Sequence, residues 1–344
     1  MTITIRDVAR EANVSVATVS RALNGQQNVA DAVRRRVQGV AERLRYTPHH
    51  AARSLSSRRT RTIGVVLPEV YGEFFSELMF GIDQVAREHG LHLLVSSYHG
   101  DPREQGDALR SMRGRVDGLL LMSPYDDADG HLADALEMLP DAVLISSHLS
   151  LPGRCRIGID NYAGARAMVA HLAAMGHVHI AFLAGPQGNH EAEERLRGYR
   201  DGLADLLPDS APVVLQGDFR EESGERAVQA LLARHSLPDA VFAANDMMAL
   251  GCLSAFNAAG LAVPDDIALA GFDDIPLARH VPPGLTTMRV DIAALGADAM
   301  RRLLAPAGDA QSDDVLRPPQ LVVRASSGQL ILSTCNTHVE RMHA

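Results

Sequence analysis

The chain has 344 residues, 46% of them apolar, enough for two or three domains that each bury a core, which excludes disorder as the main state. No apolar run reaches the roughly 18 residues of a membrane-spanning helix, and MTITIRDVAREA lacks the basic-then-apolar layout of a secretory signal, so the expected location is the cytoplasm, with no membrane partner. The net charge of −9 conceals an asymmetry: residues 1 to 61 carry twelve arginines against four acids, a net +8 that leaves −17 for the remainder, the distribution expected when only the head meets a polyanion.

The first element is a short amphipathic helix through Ile5, Val8, Ala9 and Ala12, opened by Thr4 and Asp7 in a capping-box relation and left through Asn13 in a left-handed conformation. Ser15 then caps a second helix, Val16 to Leu23, and so short a connection makes the two cross sharply as a helix-turn-helix. A third helix, Asp31 to Leu44, turns Val33, Val37, Val40, Ala41 and Leu44 inward and Arg34, Arg35 and Arg36 toward solvent or phosphate. The second helix of such a pair can enter the major groove. There Val16 and Ala17 would touch thymine methyls, Arg21 would reach guanine bidentately, and Thr18 and Ser20 suit phosphate oxygens. Core packing remains the alternative for Val16, and a solvated side chain for Arg21.

The stretch TIRDVAREANVSVATVSRALN, followed by YTPHHAARSL, resembles the DNA-binding head of the LacI/GalR family of transcriptional regulators. The resemblance implies a domain over residues 1–48, a hinge helix and linker over 49–61, and a leucine, here Leu55, that wedges into a minor-groove step when two hinge helices pair. The DNA-contacting set it implies is Thr4, Ser15, Val16, Ala17, Thr18, Ser20, Arg21, Asn28, Arg34, Tyr46, His49, Ala52 and Leu55. Two positions depart from the family pattern: Ala30 where Ser or Thr usually caps the third helix, and His49 where Asn is common.

Beyond Arg61, strands and helices alternate. The apolar runs 63–67, 91–97, 118–122, 142–146, 179–185, 212–217, 240–245 and 267–272 are short, rich in Val, Ile and Leu, and bounded by Gly, Pro or Asp, with helical patterns such as Phe75 to His89 and Ala163 to Met175 between them. This is an α/β architecture, and so many strands predict two doubly wound parallel sheets with ligands held beyond the strands' carboxyl ends. Those ends carry Tyr71, Phe74, Phe75, His148, Arg195, Phe219, Asn245, Asp246, Asp273 and Asp274. Arginine forks, carboxylates and amides suit ring hydroxyls, and aromatic faces suit the apolar face of a sugar.

The same resemblance extends through GIDNYAGA, GHVHIAFLAGP, ERLRGY, AANDMMALG, GFDDIPLA and LTTMRVD. It implies a two-lobed periplasmic-binding-protein-like core over 62–332, the first lobe about 62–160 plus 290–318, the second about 161–289 plus 319–332. The tail, 333–344, is expected to fray as chain ends do, in preference to a soft-metal site at Cys335, His338 and His343. Arg195, Asn245 and Asp273 match the family's polar effector ligands, and Phe74 and Phe219 its aromatic ones. Each has a structural alternative: a surface ion pair with Glu191 for Arg195, a helix cap for Asn245, and caps of helices or turns for Asp246 and Asp274.

Catalytic and cofactor signals fail. HEAEER, at 190–195, lacks the second histidine of a zinc protease, GPQG is too short for a phosphate loop, and Cys155, Cys252 and Cys335 form no CxxC pair. The expectation is a non-enzymatic homodimeric regulator with no cofactor and no metal, binding an inverted-repeat operator and a small effector of saccharide type. The competing reading is a sugar-binding or sugar-converting protein whose basic N-terminus is incidental.

Overall fold

The computed structural model describes residues 3–23, 28–46, 59–125, 131–137, 139, 141–149, 154–234, 236–306 and 314–328, so His49, Ala52, Leu55 and the tail lie outside the described residues. The chain divides into two units, residues 1–60 and 61–344.

In the first unit α1 (Ile5–Glu11), α2 (Val16–Leu23) and α3 (Asp31–Arg43) close around Val8, Ala12, Val19, Ala22, Val37 and Val40. The backbone N–H and hydroxyl of Thr4 both donate to Asp7 Oδ2, at 3.0 and 2.7 Å, and hold its carboxyl below the usual range. Asn13 takes the expected positive φ of 52°, which lets α2 start after a short turn. Ser15 Oγ accepts from the Thr18 amide at 3.1 Å, Ala30 offers α3 no side-chain cap, and Arg43 reaches Glu11 at 2.7 Å to tie α3 to α1.

The second unit contains two six-stranded sheets. The first has β1 (Thr62–Leu67), β2 (His92–Ser97), β3 (Gly118–Met122), β4 (Ala142–Ile145), β5 (Cys155–Ile159) and β11 (Val315–Arg317) in the order β11-β5-β4-β3-β1-β2, all parallel. The second has β6 (Ile180–Ala184), β7 (Val213–Gln216), β8 (Ala240–Ala243), β9 (Ala268–Asp273), β10 (Thr286–Arg289) and β12 (Gln320–Val322) in the order β12-β10-β9-β8-β6-β7, with only β12 antiparallel. Helices α4 (Glu73–Glu88), α5 (Pro102–Met112), α6 (His131–Glu137), α7 (Asn161–Ala174), α8 (His190–Leu206), α9 (Glu221–Leu232), α10 (Asp246–Ala258) and α11 (Ile292–Leu304) connect them. Strands such as β3 are buried along their whole length, which is why they read as continuous apolar runs rather than alternations.

The chain passes between sheets three times, after β5, after β10 and after β11. Its return through α11 is locked by close helix contact: a Cβ on Gly81 of α4 would lie 1.8 Å from the Ala293 carbonyl oxygen, and one on Gly296 2.3 Å from that of Leu78. Asp160, Asn189, Asn245 and Asp291, each following a strand or its loop, accept an amide of the first turn of α7, α8, α10 and α11. Strand ends and helix starts are thereby gathered along one side of each sheet, where ligands bind in such folds.

Candidate functional site

On the head, α2 leaves Val16 42% exposed, so that side chain is not part of the core, and Ala17 is exposed beside it. Arg21 is half-buried, and its Nε donates to the Ala17 carbonyl at 3.2 Å, laying the guanidinium along the outer face of α2. Ser15 and Thr18 share a hydroxyl hydrogen bond of 2.8 Å at the start of α2, and Ser20 is half-buried one turn on. Asn28 is exposed, while Tyr46 packs half-buried against the head's core. The arginine cluster divides: Arg34 is half-buried with Nη2 toward the Val29 carbonyl at 3.5 Å, whereas Arg35 and Arg36 are exposed.

In the second unit a cavity of about 320 Å³ lies among the strand ends of both sheets, within the size range of small-molecule sites. Of the eight expected effector residues, Tyr71, Phe74, Phe75, Arg195, Phe219, Asn245 and Asp273 line it. His148 is not among the lining residues; its ring packs on that of His190, with centroids 5.2 Å apart, because the chain after β4 turns toward the start of α8. Strand-end reasoning did not select Glu69, His99, Tyr125, Asn189, Glu191, Asp218 or Arg220, which the cavity also includes.

The polar wall is built around Arg195. This side chain, from α8, is 4% exposed: Nε donates to Asn161 Oδ1 at 2.7 Å, Nη1 to the Ala244 carbonyl, and Nη2 lies 3.4 Å from Asp273 Oδ1. Its guanidinium sits 3.9 Å from the Phe272 ring centroid. The expected alternative of a surface ion pair with Glu191 is therefore corrected, since both residues are buried in the cavity wall. Burial pushes the Asp273 carboxyl up to about 7, against the pull of Arg195 and with a further push from Glu191. Burial likewise raises Glu191, partly offset by Arg195. Asp273 also holds a φ of 112°, strained for any residue with a side chain, and its Oδ1 accepts no hydrogen bond despite being buried.

Asn245 serves two ends at once, accepting the Met248 amide at 3.0 Å as cap of α10 and donating to the Phe219 carbonyl at 3.0 Å. Asp246 does not cap α10: it takes the Thr287 hydroxyl at 2.6 Å and the Ile275 amide at 3.0 Å, and burial drives its carboxyl well above the ordinary value. Asp274 is no helix cap either, because Arg289 and Arg324 each bind one of its oxygens at 2.6 Å. At the rim the two sheets' loops are linked by Arg220 to Glu69 at 2.7 Å and Tyr71 Oη to Glu221 at 3.3 Å. The His190 amide reaches the Pro124 carbonyl at 2.8 Å. Among the described residues no group of three His, Cys, Asp or Glu is placed to hold a metal ion, and no helix is long and apolar enough to cross a membrane.

A helix-turn-helix head followed by two parallel sheets around a polar cavity defines a DNA-binding transcription regulator with an effector-binding core. Comparison with known proteins agrees. Residues 4–49 match the model of bacterial regulatory proteins of the lacI family, and residues 169–327 a periplasmic binding protein-like domain. The HTH-type transcriptional regulator GalR of Salmonella typhimurium is 37% identical over 329 residues, covering 94% of this chain and 95% of its own. The lac repressor dimer bound to operator and the anti-inducer ONPF matches with a TM-score of 0.84 at 30% identity, covering 96% of this chain and 100% of that one. A transcriptional regulator CelR–cellobiose complex matches at 0.67 and 31%, covering 94% and 99%. The chain belongs to the LacI family.

Proposed function

We propose that this protein is a repressor of carbohydrate-utilisation genes whose affinity for an inverted-repeat operator is switched by a saccharide held in the cavity. The observation that carries the reading is the buried Asp273 carboxyl, held through Oδ1 only by the 3.4 Å ion pair with Arg195, in the wall of a cavity that Phe74, Phe75 and Phe219 also line. Vicinal hydroxyls satisfy such a carboxylate while the aromatic faces cover the ring's apolar face. Support also comes from relatives: one is GalR, one was solved with cellobiose, and the lac repressor was solved as an operator-bound dimer.

In this reading residues 1–48 read the operator, 49–61 form the hinge that carries Leu55, and the lobes of 62–332 set the distance between the two hinges of a homodimer. A ligand shifts that arrangement only by binding one lobe angle better than another, and coupling of about 1–3 kcal/mol changes operator affinity roughly 5- to 150-fold. Release is the expected direction. The test is a melting screen of the full chain against sugars, glycosides and purines, followed by operator binding with the hit; a ligand at 100 times its Kd adds about 2.7 kcal/mol. A protecting sugar that weakens operator binding is expected. Protection by a purine and by no sugar would overturn the saccharide assignment.

A further inference from the structure

The cavity contains more negative charge than its one buried guanidinium balances. Glu191 and Asp273 are both buried in its wall with Arg195 as the one guanidinium beside them, whereas the rim acids are each matched, Glu69 by Arg220 and Asp218 by Arg226. Helix starts, which usually favour anions, are already occupied here. Every helix that begins at a lining segment bears an acid in its first turn: Glu73 in α4, Glu191 and Glu193 in α8, Glu221 and Glu222 in α9, Asp246 in α10. Several first-turn groups are also used within the chain. Ala192 N donates to Asn189 at 3.1 Å, Met248 N to Asn245 at 3.0 Å, and Glu73 accepts the Leu277 amide at 3.1 Å. Arg195 itself is engaged at all three nitrogens.

Resting on the saccharide reading above, we infer that Glu191 is a specificity-determining residue: beside Asp273 it makes the cavity accept an uncharged sugar and reject the phosphorylated form of the same sugar. A carboxylate accepts hydroxyl donors, which a neutral sugar supplies in number and a phosphate dianion does not. The dianion must also lose its hydration beside two buried carboxyls, which either repel it as like charges where water screens them poorly or must first take up a proton, and both routes cost affinity. Burial holds both carboxyls above their ordinary values against the downward pull of Arg195, and Glu191 pushes Asp273 up further, so added negative charge in the cavity is opposed by both.

The test is calorimetric titration of the full chain at pH 7.5 with glucose, galactose and their 6-phosphates, with thermal melting of the unliganded protein as the check on folding. The hexose that binds is expected to bind at least about 30-fold tighter than its 6-phosphate, the size of effect that buried like charges impose. Glu191→Gln should narrow that ratio severalfold by weakening rejection, and Glu191→Asp, which keeps the charge, should retain it. Equal or tighter binding of a 6-phosphate to the native protein, or an unchanged ratio in a folded Glu191→Gln variant, overturns the inference and leaves the saccharide reading standing. Binding of none of the four overturns the inference, and it overturns the saccharide reading as well where no sugar or glycoside protects in the melting screen.

Discussion

The head and the core bury different things. The three helices of the head close on nine valines and alanines, and its described charged side chains all stay at least partly exposed. The core encloses Arg195, Glu191, Asp246 and Asp273 among its phenylalanines and leucines. On the head, Val16, Ala17, Arg35 and Arg36 are therefore groups suited to nucleic acid that its packing does not require, although Thr4, Ser15 and Tyr46 also serve its caps and core. In the core, the groups suited to a ligand also hold the wall together, so function and stability cannot be varied independently.

The largest test of that difference is one arginine against another. Arg195→Ala leaves buried carboxylates without their cation, and breaking such a pair costs about 3–5 kcal/mol, to be read as a fall in the urea midpoint. Arg35→Ala on α3 should change stability by no more than about 0.5 kcal/mol while weakening binding to all DNA sequences and lowering the salt slope by about one. Similar stability losses for the two variants would erase the distinction.

The next test uses pH, where the regions should respond with opposite sign. Asp273 has a folded pKa raised to about 7 from 3.8, so the folded state holds the extra proton. Its contribution is full below about pH 4 and is lost as pH climbs toward 7, by at most ~4 kcal/mol at 1.36 per unit. Asp7, held below its ordinary value by Thr4, contributes above that value and loses its contribution as pH falls. Asp273→Asn should therefore gain stability relative to the native chain between pH 5 and 8. A difference that stays constant over that range would show that Asp273 does not bind the extra proton.

How far each region could be read in advance follows from the same contrast. The head was legible because capping and turn chemistry are local: Thr4 with Asp7, Asn13 at positive φ, and Ser15 at the start of α2 stand where the pattern put them. Of the core's strands, Gly118–Met122 was anticipated residue for residue, being apolar on both faces. β5 was missed because Arg156 interrupts it, and that arginine pairs with Asp314 ahead of β11. β10 was missed because it begins with two threonines, which are buried only because Ser327 and Asp246 supply hydroxyl partners from afar. Glu191 was noticed only as a neighbour of Arg195, since a glutamate at a helix start usually lies in solvent; nothing local to the sequence marks its burial. His148 shows the reverse error, a residue at the right end of a strand whose ring turns toward another histidine.

On the head, Arg21→Ala sharpens the comparison at the level of recognition. If Arg21 reads a base from the outer face of α2, its loss should cost about 1–3 kcal/mol on the preferred operator, relax preference at one position, and spare random DNA. Equal losses on specific and random duplexes would reduce Arg21 to a phosphate contact.

The smallest effect uses one substitution in two settings. Gly39 lies exposed inside α3 with nothing within 4 Å of where a Cβ would stand, and Gly81 lies inside α4 with the Ala293 carbonyl oxygen at 1.8 Å from that position. Alanine is the better helix former because glycine leaves more backbone freedom in the unfolded chain, so Gly39→Ala should stabilise the head by roughly 0.5–1 kcal/mol. At Gly81 the same gain in propensity is outweighed, because the new methyl must push α4 away from α11 against backbone that cannot rotate aside. Overpacking of this kind costs about 1–3 kcal/mol. Melting of the two single variants should thus give shifts of opposite sign. A shift of the same sign in both would mean either that the α4–α11 contact relaxes freely or that α3 is closely covered at Gly39.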